Sequence, residues 1–257
     1  NMEAFHHQLV KCRTAYLVGY VGAVDVFANY LERKNGRIES LKAVWTTAAP
    51  LPEGKRRYLQ QVYGAPVYTQ YGSCEFYWIA AECRNQNGMH IANDLRHIDV
   101  VDGSAPVPPE KFGDLVVTDL TNRAFPLIRY RLGDRGRLLD RQCECGLPFP
   151  LMDYVDGRIS DKIFLPDGSQ MPGEALAGAF RGFPDAIKSF QVRQASDFSL
   201  TVRYDPMPGQ NGDRAVESIY RMLNEKMRNQ VGIMFVAGPV EVNDNGKTRF
   251  LISEIKS

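Results

Sequence analysis

The sequence predicts an α/β protein: a parallel sheet portion with a βαβ unit, a small barrel-like β sheet, and a separate C-terminal α+β domain. Three observations predict this fold. A β-rich segment, a helical segment and a second β-rich segment follow one another within residues 41–69, which is the pattern of a βαβ unit. Short β segments separated by turns fill residues 90–139. The composition changes after residue 156, so we predict domains of residues 1–156 and 157–257.

Hydrophobic periodicity and turn residues define the first elements. Apolar residues recur at helical spacing over residues 24–31, and Asn35-Gly36 is a typical helix stop. Residues 41–47 are short and β-rich, which predicts a buried strand. Pro52 is well placed to begin a second helix, which we expect to end at Gly64.

Residues 67–69 are predicted to form the next strand, parallel to the strand at residues 41–47. Two loops, residues 46–50 and 70–75, then follow these strands. Ligands of parallel sheets bind at the carboxyl ends of the strands, so these loops are the first candidates for a site.

Alternation of apolar and polar residues predicts the later strands, and apolar residues at helical spacing predict a later helix. Three short strands are expected before the domain boundary, and a hairpin, an amphipathic helix and a final strand after it. The predicted strands before the boundary span residues 98–101, 114–118 and 127–130, and the later elements span residues 190–193, 198–203, 213–228 and 236–242.

The composition excludes several classes of protein. Lys plus Arg is 31 and Asp plus Glu is 30, so a net charge of +1 gives no reason to expect nucleic acid as a partner. No apolar run reaches the roughly 18 residues of a membrane span, and no secretory signal is visible. Five cysteines, an odd number, argue against a disulfide framework and for a reducing, cytoplasmic location with thiol or metal roles.

The segment Tyr71-Gly72-Ser73-Cys74-Glu75 is the first candidate for binding chemistry. Glycine permits a positive φ and a close approach between ligand and main chain. The neighbouring aromatic ring can stack on a base, and the carboxylate four residues later can hold Mg²⁺ near phosphates. An ordinary strand-to-helix turn with a capping residue would explain the same residues.

Three further segments carry charged residues near turns. Two arginines and Asp134 lie in residues 129–134, where a carboxylate can accept both hydroxyls of a ribose, or where a salt-bridged turn would suffice. Arg158 lies in a polar stretch at the predicted domain boundary and can reach a phosphate or ribose oxygen, with Ser160 able to absorb a hinge rotation. Lys247 follows a glycine and can be delivered to a phosphate, although an exposed hairpin turn is the simpler explanation.

In sequence order, these segments resemble those of the adenylate-forming acyl-CoA synthetase superfamily, most closely its phenylacetate-CoA ligase, coenzyme F390 synthetase and CapK-like group. The likeness covers the chain from about residue 17. The resemblance implies that Tyr71 contacts adenine, that Glu75 holds Mg²⁺, and that Ser160 is the hinge of a small C-terminal lid. It also implies that Lys247 bridges the acyl carboxylate and the α-phosphate. The remaining nucleotide contacts it implies are Ala48, Ala49 and Pro50 of the adenine loop, Gly72 and Ser73 of the turn, and Asp134 and Arg158 at the ribose.

The sequence departs from this family in one respect. No Ser/Thr/Gly-rich phosphate-binding loop precedes residues 46–50, because residues 17–22 have glycines but no hydroxyl run and no lysine. We therefore expect residues 1–156 to be the C-terminal part of the large adenylate-forming domain, in a fragment or a truncated protein. We also expect this chain alone to activate a carboxylate poorly.

A second kind of site is predicted from Cys83, His90, Cys143 and Cys145. Two separated pairs of soft ligands at turns suit a tetrahedral structural Zn²⁺ of the Cys₃His kind. Such a metal would join the end of the βαβ region to the small β sheet. Buried or idle thiols with a surface histidine are the alternative.

The resemblance implies ATP-dependent activation of a carboxylic acid as an acyl-adenylate, followed by transfer to CoA. A non-catalytic module that binds adenine nucleotides or another subunit is the alternative, and an amide or ester synthetase would differ only in the acceptor. The aromatic residues Trp45, Tyr68, Tyr71 and Phe76 would suit an aromatic acid, or belong to the core. The expected protein partner is a second copy of this chain, in a homodimer, or a missing N-terminal half.

Overall fold

The computed structural model describes residues 2–155, 157–158, 162–210, 212–241 and 249–255. The fold is a mixed α/β fold with several sheets, as predicted. The helices are α1 (Met2–Lys11), α2 (Val21–Lys34), α3 (Glu53–Tyr63), α4 (Gly173–Arg181) and α5 (Asp213–Lys226). The strands are β1 (Tyr16–Tyr20), β2 (Ala43–Thr47), β3 (Val67–Tyr71), β4 (Ala80–Glu82), β5 (Met89–Ile91), β6 (Arg96–Asp102), β7 (Ala105–Pro106), β8 (Gly113–Asp119), β9 (Tyr130–Gly136), β10 (Leu138–Leu139), β11 (Leu151–Met152), β12 (Gly157–Arg158), β13 (Lys162–Phe164), β14 (Gln170–Pro172), β15 (Ile187–Gln194), β16 (Leu200–Pro206), β17 (Ile233–Ala237) and β18 (Leu251–Ser253).

The strands form four sheets within the described residues. A seven-stranded sheet has the order β1-β2-β3-β4-β5-β11-β10, and a five-stranded sheet has the order β12-β9-β8-β6-β7. A two-stranded sheet pairs β13 with β14, and a four-stranded sheet has the order β17-β16-β15-β18.

The predicted strand–helix–strand run is present as β2, α3 and β3, and the two strands are neighbours in the seven-stranded sheet. The helix caps follow from the sequence. Asn35 ends α2 and Gly64 ends α3, each in the left-handed conformation, with φ of 48° and 63°. Pro52 is the residue before the first turn of α3, where its missing N–H costs no helical hydrogen bond.

The β segments after residue 95 differ in part from the prediction. β6 and β8 contain the predicted strands and pair in an antiparallel manner. The segment predicted as a strand at residues 127–130 is instead a loop that ends where β9 begins, at Tyr130. The five strands form an open sheet in the described chain, with β12 and β7 at its edges, rather than a closed barrel.

Three of the C-terminal elements match the prediction, whereas β13, β14 and α4 were not predicted. β15 and β16 form the expected antiparallel hairpin, and α5 is the expected amphipathic helix. The final strand predicted at residues 236–242 is wrong in position: β17 ends at Ala237, before Gly238 with its φ of 151°. A further strand, β18, pairs in parallel with β15.

The chain divides into two compact units. Unit 1 comprises Asn1–Val44, Leu51–Val67 and Asp161–Ser257, and unit 2 comprises Trp45–Pro50 and Tyr68–Ser160. Unit 1 has one core around α2 and α3 and another around α4, α5, β15 and β16. Unit 2 has a core built from the turn after β3 and strands β4, β5, β6 and β8. No described helix is long and apolar enough to cross a membrane.

Candidate functional site

The turn after β3 requires glycine at position 72 for a steric reason. A Cβ on Gly72 would lie 1.8 Å from the carbonyl oxygen of Tyr77, so the turn folds back onto its own backbone. The positive φ expected of this glycine is absent, and the residue with a left-handed φ, of 60°, is Tyr77 itself. The close approach sharpens the turn, with Ser73 half-buried and Glu75 exposed.

Asp134 lies within β9, where the pairing of β9 with β8 is irregular, and not in a tight turn. β8 and β9 pair with a register shift between Asp114 and Val116, and Gly133 opposite this shift has a φ of 81°. Such a bulge re-aims the side chains beside it. In the antiparallel pair of β9 and β12, the cross-strand partner of Asp134 is Arg158. The two residues predicted to contact ribose are therefore directly opposite each other on neighbouring strands.

The turn and β9 are joined by two tyrosine–carboxylate hydrogen bonds that run in opposite directions. The hydroxyl of Tyr71, in the turn segment, donates to Oδ2 of Asp134 at 2.9 Å. The hydroxyl of Tyr130, in β9, donates to Oε1 of Glu75 at 3.2 Å. Each segment thus supplies one tyrosine and, four residues later, one acid. The negative charge of Glu75 and this hydrogen bond raise the pKa of Tyr130.

The predicted adenine loop follows β2. Ala48 has a φ of 67°, a left-handed conformation that is unusual for an alanine. Just before it, the hydroxyl of Thr46 donates to the carbonyl oxygen of Tyr68 at 3.1 Å, and that of Thr69 donates to the carbonyl oxygen of Thr46 at 3.4 Å. These bonds tie the start of the loop to β3, while Ala49 and Pro50 are half-buried.

Two predicted residues, Ser160 and Lys247, lie outside the described residues, and their roles stay predictions. The aromatic residues divide into two groups. Phe76 is 1% exposed and belongs to the core of unit 2, so it does not line a pocket. Trp45 and Tyr68 are half-buried and in contact, with ring centroids 5.2 Å apart.

The four predicted metal ligands come together in unit 2. One candidate ligand atom from each of Cys83, His90, Cys143 and Cys145 lies within 4.8 Å of all the others. The Sγ atoms of Cys83 and Cys143 are 3.6 Å apart, and Sγ of Cys145 is 3.3 Å from Nε2 of His90. Three thiols and one imidazole nitrogen are the donor set of a structural Cys₃His zinc site, so the residues present fit the metal.

The surroundings of the cluster also suit a metal. Nδ1 of His90 is 3.2 Å from the carbonyl oxygen of Phe149. A carbonyl only accepts hydrogen bonds, so Nδ1 carries the proton and Nε2, which faces Cys145, keeps its lone pair. The backbone N–H groups of Asn85 and Leu147 each donate to a cysteine Sγ at 3.4 Å. Such bonds stabilise thiolates.

The cluster joins elements other than those predicted. Cys83 directly follows β4 and His90 lies in β5, while Cys143 and Cys145 lie between β10 and β11. β5 and β11 are antiparallel neighbours in the seven-stranded sheet. The cluster therefore connects two hairpins of one sheet and does not connect the βαβ unit to the five-stranded sheet. Hydrogen bonding from the Cys145 backbone lowers the pKa of Cys143 to about 7, and burial raises that of Cys83 to about 11.

Comparison with known proteins gives one consistent result. The chain is 26% identical over 198 residues to the phenylacetate-coenzyme A ligase of Thermus thermophilus, covering 74% of this chain and 43% of that protein. It is 29% identical over 133 residues to the same-named ligase of Escherichia coli, covering 49% of this chain and 30% of that protein. The fold matches 2-hydroxyisobutyryl-CoA ligase in the postadenylation state, with a TM-score of 0.77 and 19% identity. The chain is therefore similar in sequence to phenylacetate-coenzyme A ligases and similar in fold to an acyl-CoA ligase.

Other solved structures have a similar fold. The 2-hydroxyisobutyryl-CoA ligase structure contains R3-HIB-AMP, and the match covers 98% of this chain and 57% of that one. An open conformation of the ligase contains 2-HIB-AMP and CoA and matches with a TM-score of 0.64 and 19% identity over 98% of this chain and 58% of that one. An amide bond synthetase, McbA from Marinactinospora thermotolerans, matches with a TM-score of 0.67 and 15% identity over 96% of this chain and 53% of that one.

The chain spans less than half the length of the curated relatives it matches, 43% of the first and 30% of the second. No family model matches the chain. Sequence reasoning missed Tyr130 as a residue of the site. The available signal was the shared spacing, since both motifs place a tyrosine four residues before an acid.

Proposed function

We propose that this chain forms the nucleotide-handling part of an AMP-forming acid–thiol ligase. In such a reaction a carboxylic acid and ATP form an acyl-adenylate and pyrophosphate, and the acyl group then passes to CoA with release of AMP. One observation carries the proposal: the turn of Tyr71 and Glu75 meets the strand of Tyr130 and Asp134 in unit 2. The sequence relatives, which are phenylacetate-coenzyme A ligases, support the same reaction class.

The proposed nucleotide contacts follow the geometry of unit 2. The ring of Tyr71 contacts adenine together with the loop of residues 48–50, and Gly72 and Ser73 line the turn. Asp134 accepts hydrogen bonds from the ribose hydroxyls, and Arg158, which the backbone pairing of β12 with β9 sets opposite Asp134, is proposed as a second ribose contact. The Glu75 carboxylate is exposed and suits Mg²⁺, a hard cation that prefers oxygen ligands.

The proposed chemistry is mainly electrostatic. The attacking carboxylate and the α-phosphate are both negative, so their approach needs positive charge close to the reacting atoms. Lys247 supplies this charge as an ammonium group, and Mg²⁺ held at Glu75 adds to it. Residues 157–257 are proposed to act as a lid that turns about Ser160, which withdraws Lys247 and admits the thiol for the second half-reaction.

The metal proposed for Cys83, His90, Cys143 and Cys145 has a structural role. When bound, Zn²⁺ cross-links the β4–β5 and β10–β11 hairpins through four protein ligands. A closed set of four protein ligands leaves no coordination position for a substrate. The nucleotide chemistry therefore belongs to the turn and to β9.

The test uses the full chain in two steps. Isothermal titration with AMP and Mg²⁺ measures binding, and pyrophosphate release with ATP, Mg²⁺ and a panel of aromatic and short-chain acids measures activation. Release that is lost in Lys247→Ala while AMP binding persists supports an acid–thiol ligase. Failure of the wild-type chain to bind AMP would exclude the nucleotide site.

Two other outcomes distinguish related functions. AMP binding without pyrophosphate release from any acid would favour a nucleotide-binding or subunit-interaction module. Pyrophosphate release followed by transfer to an amine, and not to CoA, would favour an amide synthetase such as the structural neighbour McbA.

A further inference from the structure

We propose that Tyr71 and Tyr130 are positioning residues that orient the ribose-binding and Mg²⁺-binding acids through a reciprocal tyrosine–carboxylate clasp. The clasp consists of the two hydrogen bonds Tyr71–Asp134 and Tyr130–Glu75. It rests on the proposed function and adds two residue roles to it. Tyr71 has a second task besides its contact with adenine, and Tyr130 has a task where the motif alone assigns none.

The two bonds cross between segments far apart in sequence. Their partners are separated by 63 and 55 residues, yet both bonds connect the same turn to the same strand. Each acid is held by the tyrosine of the opposite segment. Loss of one hydroxyl therefore removes one of these hydrogen bonds and leaves the other in place, so the two bonds can be tested separately.

The ring of Tyr71 is held by core packing, and the ring of Tyr130 contacts a core residue. Tyr71 is 9% exposed and is part of the unit 2 core. Tyr130 is more exposed, but its ring lies edge-on against Phe76, with centroids 5.9 Å apart. Phe76 is itself fully buried, and Arg96 donates to its carbonyl oxygen at 3.0 Å. A donor held by such packing restricts the carboxylate that accepts from it.

The clasp is compatible with a bound nucleotide. An ionised carboxylate has about four acceptor positions, and each of these hydroxyls uses one. Ribose hydroxyls or a cation add further contacts to the same carboxylate and do not require the tyrosine to leave. Orienting the acid beforehand reduces the side-chain entropy that binding would otherwise lose.

The Tyr71–Asp134 bond is tested with Tyr71→Phe, which keeps the ring and removes the hydroxyl. Isothermal titration compares AMP with 2′,3′-dideoxy-AMP, which lacks both ribose hydroxyls. We expect AMP to bind about 5- to 10-fold more weakly than to the wild type, because binding must then immobilise the Asp134 side chain. The preference for AMP over the dideoxy analogue should shrink, and equal losses for both nucleotides would contradict the proposal.

The Tyr130–Glu75 bond is tested with Tyr130→Phe by following ATP binding at increasing Mg²⁺. The Mg²⁺ concentration for half-maximal binding should rise about fivefold, because cation binding must then order the Glu75 side chain. The preference of this variant for AMP over the dideoxy analogue should stay at the wild-type value. Tyr77→Phe is the matched control, because Tyr77 is 85% exposed in the same turn and should change neither readout.

A measurement without nucleotide separates failure of the clasp from failure of the proposed function. ¹³C-labelled tyrosine followed by NMR reports the pKa of Tyr130, which the charge of Glu75 raises. Glu75→Gln should lower this pKa, and an unchanged value would refute the clasp even if the wild-type chain binds AMP. A wild-type chain that binds no AMP but shows the shift would refute the proposed function instead.

Discussion

The ammonium group of Lys188 lies 3.3 Å from Oδ1 of Asp25, although Lys188 is only 5% exposed. The pair joins β15 to α2 within unit 1. Asp205 adds a second carboxylate at 3.4 Å, and the ring of Tyr58 lies beneath the ammonium, 3.8 Å away. A lysine is rarely buried unless its charge is compensated, and here two carboxylates and an aromatic face compensate it.

Replacing Lys188 with Met should destabilise the protein. The substitution removes a cation from the carboxylates of Asp25 and Asp205, although Lys55 still pairs with Asp25 at 2.9 Å. Breaking a buried ion pair in this way costs about 3 kcal/mol in the free energy of unfolding, which urea denaturation measures. Lys226→Met, in the last turn of α5, is the control and should change stability by less than about 0.5 kcal/mol. Equal stability of the two variants would show that the ion pairs of Lys188 contribute nothing to the free energy of unfolding.

Gly54→Ala should be more disruptive than its position in a helix suggests. Alanine normally stabilises a helix relative to glycine, but a Cβ on Gly54 would lie 2.0 Å from the carbonyl oxygen of Ile187. Backbone atoms cannot yield cheaply, so α3 must move away from this segment of unit 1. We expect a loss of at least about 3 kcal/mol, as for severe overpacking.

Gly178→Ala provides the matched control for this overlap. Gly178 also lies within a helix, α4, and no heavy atom beyond its neighbours lies within 4 Å of its virtual Cβ. The same substitution should therefore stabilise the protein by about 0.5–1 kcal/mol. Thermal unfolding of both variants, monitored by circular dichroism, gives the comparison, and a stabilising Gly54→Ala would contradict the tight packing.

Removal of the proposed metal should lower the melting temperature. The purified chain is expected to contain about one equivalent of zinc, and a chelator should destabilise the β4–β5 and β10–β11 hairpins. Cys143→Ser should lose the metal and resemble the chelated protein. Cys12→Ser is the control and should retain the metal, because Cys12 is exposed and lies just after the end of α1. Metal analysis below about half an equivalent, together with an unchanged melting temperature after chelation, would exclude the site.

Asp167 should contribute to the acid sensitivity of the fold. The hydrogen bond from the Ser169 side chain, with others from Gln230 and the Ser169 backbone, lowers the pKa of Asp167 to about 2. Because the folded pKa lies below the unfolded value of about 3.9, the contribution is present above about pH 4 and is lost as pH falls towards 2.

Denaturation at pH 6 and pH 3 tests this contribution of Asp167. Asp167→Asn should be less stable than the wild type at pH 6, and the difference should narrow at pH 3. Asp94→Asn, at an exposed turn position, is the control and should track the wild type at both pH values. A difference between Asp167→Asn and the wild type that is the same at both pH values would exclude a titrating contribution.

Helices α2, α3 and α5 and strands such as β2, β3, β15 and β16 were predictable because their signals are local, whereas α1, α4 and many of the short strands were not predicted. The spacing of apolar residues and the stops at Asn35 and Gly64 are read within a few residues and agree with the structure. β9 was not predictable in this way. The apolar residues at 127–128 read as its start, yet the strand begins at Tyr130, because pairing with β8 selects the charged segment and accommodates Gly133 in a bulge.

The sequence by itself determined the order of motifs, the four-residue spacing of tyrosine and acid, and the set of three thiols and one imidazole. These properties are fixed by covalent order. The tertiary structure alone decided that Tyr130 reaches Glu75, that Arg158 pairs opposite Asp134, and that the cysteine pairs meet across hairpins of one sheet. Strand register sets such contacts, and register depends on pairing between segments that no local pattern specifies.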